Sequence, residues 1–261
     1  MLLKAFVALL LMLGMPTKGT AEPAAATTIV LAGEDDWPPY SFADKRSLGA
    51  GHEPTGFSPR LIRAAFASQG VNVRFISVPF SRCMRLALTD QVAGCFNASI
   101  TNENRNDYIW HSPPMFKEEL SIFGAPGNDA TPLTLADLRG KNVAITNGYT
   151  YPSAFVNDSR ISKFPANSDD NLIQMFLSKR VDYVVMNRTP GWLRIDATDA
   201  ARGRLVHRGA LSADEFWIAF SKKYPGAQQA SDTFGKGLTQ MRNNGSYQAM
   251  LDEFRKQVKF R

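Results

Sequence analysis

The chain has 261 residues, of which 44% are hydrophobic and 21% charged, and its formal net charge is +6. This composition describes a soluble globular protein, long enough for one large domain or two small ones. Lys and Arg are scattered without a run of four, so the charge indicates a solvated surface and argues against a nucleic-acid-binding protein.

The first 21 residues have the pattern of an export signal. Lys4 forms a short basic region, residues 5–15 are apolar, and residues 19–21 are small enough for cleavage. The apolar run is well short of the ~20 residues that a membrane-spanning helix needs. Removing two lysines with residues 1–21 gives an expected mature charge of +6 − 2 = +4. We therefore expect an exported protein, which in a bacterium means the periplasm.

The first predicted strand, residues 28–33, leads into an acidic and aromatic loop, residues 34–40. Two prolines in that loop forbid a helix and favour an extended conformation. Trp37 and Tyr40 would then form a platform for stacking on a ligand, and Asp35 beside them would meet an ammonium group. The alternative is that both aromatic side chains cap the core.

Helices and strands alternate over the next sixty residues. We predict a helix over 58–70 with Ser58 as its N-cap, a strand over 71–78, a helix over 80–88 that carries Arg82, and a strand over 94–100. This alternation is typical of βαβ units with a parallel sheet, and therefore of an α/β fold.

Arg105 follows the strand of residues 94–100, at the end of a wholly polar stretch. Ligands of open α/β sheets bind outside the carboxyl ends of the strands. A guanidinium group there is planar and always charged, so it can fork onto a carboxylate. The alternative is an ordinary surface charge.

The two cysteines, Cys83 and Cys95, lie in a predicted helix and the following strand. Seven helical residues rise ~10 Å and three or four strand residues ~10–13 Å, so the sulfurs meet if helix and strand run antiparallel. We predict a disulfide, the alternative being two buried thiols. Neither the three His nor the Cys show metal-ligand spacing, so no metal site is expected.

A second α/β pattern follows residue 123. Predicted strands cover residues 119–124, 142–146, 161–164, 182–186, 205–207 and 215–220. Predicted helices cover residues 134–138, 151–157, 169–179, 192–199, 228–244 and 247–259.

Several short motifs occur in a defined order along this pattern. They are Gly56-Phe57-Ser58, Ser99-Ile100-Thr101 followed by Arg105, Ser112-Pro113, the segment from Asp137 to Val143, and Asn147-Gly148-Tyr149-Thr150. With them the chain resembles the bacterial family 3 extracellular solute-binding proteins, the polar amino-acid receptors of ABC importers. The resemblance implies the two-lobed periplasmic-binding-protein type II fold, with two crossovers and a ligand cleft between the lobes.

The resemblance also implies a division of the mature chain. Residues 22–122 and 217–261 would form lobe 1, residues 123–216 would form lobe 2, and the crossovers would fall near Gly124 and Glu215.

The family's ligand-binding positions map onto several residues of this chain. By resemblance Arg105 would grip the ligand's carboxylate, with Ser99 beside it and Tyr149 and Thr150 approaching from lobe 2. Trp37 or Tyr40 would be the stacking aromatic, and Phe80 a further aromatic in the cleft.

Two departures from the family pattern affect the expected ligand. Asn187 stands where the family places the Asp that binds an α-ammonium, so either Glu34, Asp35 or Asp36 substitutes or the ligand is not a standard α-amino acid. Arg105 follows Thr101 at a spacing one residue longer than usual. Arg82 would add a second cation at the cleft edge if it is not a surface residue.

The expected function is a monomeric periplasmic protein that captures an amino acid or related carboxylate for an ABC permease, without a cofactor. One alternative is an enzyme on the same scaffold, similar to cyclohexadienyl dehydratases, which would recruit Glu34, Glu118 or His111. The other is a sensory ligand-binding protein.

Overall fold

The computed structural model describes residues 28–43, 53–127 and 131–258. The predicted export signal lies outside these residues. The strands are β1 Thr28–Glu34, β2 Asp36–Trp37, β3 Ser41–Phe42, β4 Asn72–Val78, β5 Gly94–Ala98, β6 Tyr108–Trp110, β7 Phe116–Gly124, β8 Asn142–Thr146, β9 Ser162–Ala166, β10 Tyr183–Asn187 and β11 Val206–Ser221. The helices are α1 Phe57–Ala67, α2 Phe80–Leu88, α3 Ser153–Val156, α4 Asp169–Leu177, α5 Arg188–Ala197, α6 Ala227–Asn243 and α7 Ser246–Val258, with a 3-10 helix at Leu135–Leu138. Within these ranges no helix is both long and apolar enough to cross a bilayer.

Nine strands form one curled mixed sheet in the order β4-β1-β5-β11-β7-β10-β8-β9, with β6 beside β11. On one side β1 runs parallel to β4 and β5, and on the other β8 runs parallel to β9 and β10. The α/β prediction is confirmed, with antiparallel strands in the middle of the sheet.

Strand β11 joins the two sides of the sheet. Its last residues, from Trp217, pair with β5, and its first eleven residues pair with β7. Strand β7 in turn pairs with β10 through residues 120–124. The two parallel halves are therefore connected through β7 and β11, while the lobe boundaries stated above stay a prediction.

Each half of the sheet has its own hydrophobic core. In the first half, α1 packs Leu61, Ile62 and Phe66 against the sheet, because apolar residues at helical spacing share one face. In the second half, Leu172 of α4 and Ile195 of α5 belong to a separate cluster. Two separate cores are what two lobes require.

The structure differs from the sequence expectation at β11, which is one strand of sixteen residues. The sequence predicted two short strands, because residues 208–214 lack alternation. The pairing of β11 with β7 shifts register around Gly209, where a Cβ atom would lie 2.0 Å from the Leu133 carbonyl oxygen. The bulge at this close backbone contact interrupts the alternation of the sequence, so the single strand cannot be recognised from its pattern.

Two helix starts were also predicted wrongly. Helix α1 begins at Phe57 after Gly56, so Ser58 lies inside the helix and is not the N-cap. Gly56 has φ 117°, and a Cβ there would lie 2.5 Å from the Tyr40 carbonyl oxygen, so only glycine fits. Helix α5 begins at Arg188, four residues earlier than predicted. Pro190 lies in its first turn, where backbone N–H groups have no partner within the helix, so the missing N–H of proline does not prevent the helix from forming.

The predicted disulfide is present. Cys83 in α2 and Cys95 in β5 are bonded, with their Cα atoms 5.4 Å apart. The bond fixes α2 against the sheet in the half that carries β1.

Candidate functional site

A small cavity of about 30 Å³ lies between the two halves of the sheet. Its lining consists of Glu34, Trp37, Phe80, Asn97, Ser99, Tyr149, Thr150, Asn187, Asp214 and Phe216. Most of these residues lie at or after the carboxyl ends of β1, β5, β8 and β10, where open α/β sheets place their ligands. The volume equals roughly that of one water molecule, so the structure shows the cleft closed on its own side chains.

Six of the ten predicted site residues line this cavity. They are Trp37, Phe80, Ser99, Tyr149, Thr150 and Asn187. Trp37 is 3% exposed, and its indole Nε1 has no hydrogen-bond partner among the described residues. The hydroxyl of Ser99 donates to the Glu215 carbonyl oxygen at 3.0 Å, which ties the end of β5 to β11. The fold thus brings together six predicted residues that lie far apart along the chain, while their binding of a ligand stays a prediction.

Three other predicted residues lie elsewhere. Tyr40 stacks on Phe116 with ring centroids 4.7 Å apart and donates its hydroxyl proton to buried Glu118, so it belongs to the core. Asp35 is half-buried beside the cleft without lining the cavity, and Arg82 is exposed on α2.

Arg105 is exposed, and its side chain is not part of the cavity lining. Its guanidinium donates to the Asn102 side-chain oxygen at 2.6 Å and, through Nε, to the Thr101 carbonyl oxygen at 3.4 Å. The Arg105 backbone N–H also donates to the Thr101 carbonyl oxygen at 3.0 Å, so residues 101–105 form a turn. Gripping of a carboxylate by Arg105 stays a prediction.

The sequence did not indicate three of the lining residues, Asn97, Asp214 and Phe216. Asn97 lies inside a short strand that reads as buried, and its φ of 65° is rare for a residue other than glycine. Asp214 lies on the part of β11 that the sequence presented as a break, whereas Phe216 lies in the predicted strand of residues 215–220 without any sign of its place in the cavity lining. A single polar residue within an apolar strand was the one signal available for Asn97.

Glu34 and Tyr149 meet across the cavity. The Tyr149 hydroxyl donates to Oε1 of Glu34, which is 6% exposed. Burial raises the pKa of Glu34 to about 8, opposed by the Tyr149 hydrogen bond and assisted by the charge of Asp169. Burial also raises the pKa of Tyr149 well above its ordinary value. At neutral pH the Glu34 carboxyl group is therefore mostly protonated in this closed form.

Asp214 is the second acid of the cavity. Ser212 donates a hydrogen bond of 2.8 Å to its Oδ2, and partial burial raises the pKa of Asp214 above its ordinary value. Glu34 and Asp214 are the titratable acids in the lining.

The sequence profile of the bacterial extracellular solute-binding proteins, family 3, matches residues 29–257. The chain belongs to this family. A search of curated proteins found no match.

Solved structures share the fold of this family 3 protein. A histidine kinase sensor domain with similarity to periplasmic binding proteins is 22% identical, with a TM-score of 0.75 over 88% of this chain and 96% of that one. An ancestral arginine-binding protein bound to arginine is 22% identical, with a TM-score of 0.72 over 87% and 97%. A substrate-binding protein of an amino acid ABC transporter from Streptococcus pneumoniae, bound to L-arginine, is 15% identical, with a TM-score of 0.71 over 90% and 97%.

A buried arginine connects the halves of this family 3 protein beside the cavity. Arg194 of α5 is 7% exposed and donates to the Asp36 carbonyl oxygen at 2.7 Å. It also pairs with the Asp36 carboxylate at 3.0 Å and with Asp170 of α4 at 2.9 Å, while Asp169 lies 3.8 Å away. Asp36 follows β1, whereas Asp169 and Asp170 are in the other half, so Arg194 holds the cleft closed from outside the cavity.

The three acid–base candidates of the enzyme alternative have different surroundings. Glu118 accepts hydrogen bonds from Tyr40 and from the backbone and hydroxyl of Thr189, away from the cavity. His111 is held neutral in the core, since its Nε2 accepts from the Ile218 backbone at 2.9 Å and burial lowers its pKa to about 3. Glu34 is therefore the one of the three that lines the cavity.

A larger open groove of about 950 Å³ runs along α6 beside residues 110–112. It lies in the half that carries β1, and none of its lining residues belongs to the ends of β1, β5, β8 or β10. The cavity between the halves is therefore the candidate ligand site.

Proposed function

We propose that this family 3 protein is a receptor that captures a small polar solute, an amino acid or a related compound, between its two halves. One observation carries the proposal: a small cavity is lined by β1, β5 and α2 from one half, and by the loop after β8 and the last residue of β10 from the other. Such a site is complete only when the halves close, so a ligand that contacts both halves stabilises the closed form.

We further propose that the captured solute is delivered to an ABC permease of the inner membrane and that the protein works in the periplasm as a monomer. The amino acid ABC transporter protein from Streptococcus pneumoniae supports this proposal through its fold. The export pattern at the N-terminus supports the compartment.

A thermal-shift screen tests capture. The purified protein is heated with each of the twenty amino acids, diamines, polyamines, dicarboxylates and aromatic acids in turn. A ligand present at 100 times its dissociation constant adds ~2.7 kcal/mol of stability, a shift of several degrees for a protein of this size. Absence of any shift across the panel at millimolar concentrations would overturn the proposal.

A sensory role is the second candidate, supported by the likeness to a histidine kinase sensor domain. Deletion of the gene separates the two roles. A transport receptor predicts loss of uptake of the radiolabelled ligand, whereas a sensor predicts normal uptake and loss of the transcriptional response to that ligand.

A further inference from the structure

The titratable part of the cavity lining is acidic. Glu34 and Asp214 line it, and the lining residues, all within the described ranges, include no Lys, Arg or His. The nearby guanidinium of Arg194 is already paired with Asp36 and Asp170. An anionic group brought into this cavity would meet two acids without a compensating cation, which burial makes unfavourable. A cationic group would be attracted to both acids, because its charge favours their ionised forms and so favours loss of the proton from Glu34.

Asn97 shows independently that the cavity is built for a polar ligand. Its side chain is 3% exposed and lines the cavity, yet neither its Nδ2 nor its Oδ1 finds a hydrogen-bond partner among the described residues. Leaving a buried amide unpaired is unfavourable, because the amide loses its hydrogen bonds to water without gaining others. The left-handed backbone conformation of Asn97 adds strain at the same point. Both features are typical of a residue whose partner is a bound ligand.

Aromatic rings complete the walls. Trp37, Phe80 and Phe216 line the same cavity as the two acids, and the rings of Trp37 and Phe216 lie 5.2 Å apart. Ring faces attract ammonium and guanidinium groups, and Trp does so most strongly. These rings, like the acids, therefore favour a cation.

We propose that the cavity recognises its ligand through an amine or guanidinium group held by Glu34 and Asp214, and that a carboxylate on the ligand adds little to the affinity. The inference rests on the proposed function and names the ligand class of that site. It also accounts for two features at once, the exposed position of Arg105 and the amide of Asn187 in the lining.

Matched ligand pairs that differ only in the carboxylate test the proposal. Titration calorimetry at pH 7.5 compares arginine with agmatine and lysine with cadaverine, and glutamate and succinate serve as anions. We expect each decarboxylated ligand to bind within tenfold of its parent amino acid, and the anions to bind at least a hundredfold more weakly than the best cation.

Charge-neutral variants test the assigned acids. Glu34→Gln and Asp214→Asn should each weaken the best cationic ligand at least tenfold, since each removes a charge-assisted contact. Asp199→Asn removes the same charge from a side chain that is 92% exposed, and it should change the dissociation constant less than twofold.

Three outcomes would overturn the inference while leaving solute capture intact. The first is a dissociation constant that rises a hundredfold when the ligand lacks its carboxylate, and the second is tighter binding of the anions than of the cations. The third is a hundredfold weaker affinity in Arg105→Ala, which would show that this guanidinium binds a carboxylate. If no solute in either set binds, the proposed function fails together with the inference.

Discussion

Glu34 and Tyr149 come from opposite halves of the molecule and meet in the middle of the cleft. Their hydrogen bond occupies the space that a ligand would need, since the remaining volume is about 30 Å³. Ligand entry must therefore move these side chains or separate the halves. The buried Glu34 carboxyl group also destabilises the folded protein when it is ionised, because burial disfavours its charged form.

The stability of the protein should depend on the protonation of Glu34. Its pKa is about 8 in the folded protein, against an ordinary 4.5, and Tyr149, Asp35, Asp36 and Asp169 are the groups that act on it. The folded state keeps a proton that the unfolded chain loses between these values, so this contribution to stability falls as the pH rises from 4.5 to 8.

Glu34→Gln removes this pH dependence, because an amide does not titrate. Scanning calorimetry should show a melting temperature close to that of the wild type near pH 4.5 and higher by roughly 10 °C at pH 8. Glu253→Gln, at a half-exposed acid on α7, is the matched control. A melting difference for Glu34→Gln that stays constant over this range would show that Glu34 is ionised in the folded protein.

The disulfide should stabilise the half that carries β1. The bond between Cys83 and Cys95 closes a loop with a sequence separation of 12. Reduction should lower the free energy of unfolding by roughly 3 kcal/mol, the value expected for a loop of about this length. Urea denaturation with and without reductant measures the difference, and the Cys83→Ser, Cys95→Ser double variant should show none. Two titratable thiols in the native oxidised protein would contradict the bond.

At the residue scale the sequence indicated the aromatic and hydroxyl residues of the cavity lining and one of its two acids, Glu34. Trp37, Phe80 and Tyr149 could be predicted because each follows or opens an element whose end was predictable. Asp214 could not, since its place in the lining depends on the long-range pairing of β11 with β7. The exposed position of Arg105 likewise depends on how residues 101–105 turn, which spacing alone does not determine.

Helices α4 and α5 control the cleft through Arg194. This residue binds Asp170 within its own half and Asp36 across the cleft. Substituting each acid in turn therefore compares a contact between the halves with a contact inside one half. Removing the Asp36 side chain weakens closure, whereas removing the Asp170 side chain leaves the bridge between the halves in place.

We therefore expect Asp36→Ala to weaken ligand binding by roughly threefold to tenfold, which corresponds to ~1 kcal/mol for a partly exposed ion pair. Asp170→Ala should change the affinity by less than twofold. Calorimetric titration gives the affinities, and energy transfer between dyes on the two halves gives the closed fraction without ligand. Equal effects of the two substitutions would show that Arg194 does not control closure.

At the element scale, regular segments were predictable and interrupted ones were not. Helices α2 and α6 and strand β8 lie within a residue of their predicted ends, because their apolar periodicity is unbroken. Strand β11 appeared as two strands, since its bulge near Gly209 is stabilised by contact with the distant Leu133 backbone. The start of α5 was predicted four residues too late, because a proline breaks a helix interior but not its first turn, and the sequence alone did not show that Pro190 lies in the first turn.

The whole molecule consists of two cores connected by β7 and β11, with an acidic, aromatic cavity between them. Among the described residues, several contacts join the halves beside the connecting strands. They include Glu34 with Tyr149, Asp36 with Arg194, Tyr40 with Thr189 through Glu118, and Ser153 with Glu103. The closed form is therefore held together without a ligand, and a ligand has to replace the first contact while keeping the second.

A crystal structure of the protein grown with agmatine, and with arginine in parallel, is the sharpest test of cation recognition in the cleft. We expect one ligand molecule between the halves, with its guanidinium group against Glu34 and Asp214 and hydrogen-bonded to the Asn97 amide. We also expect the hydrogen bond between Tyr149 and Glu34 to be broken. A ligand bound at Arg105 with its carboxylate, or in the groove along α6, would contradict cation recognition in the cleft.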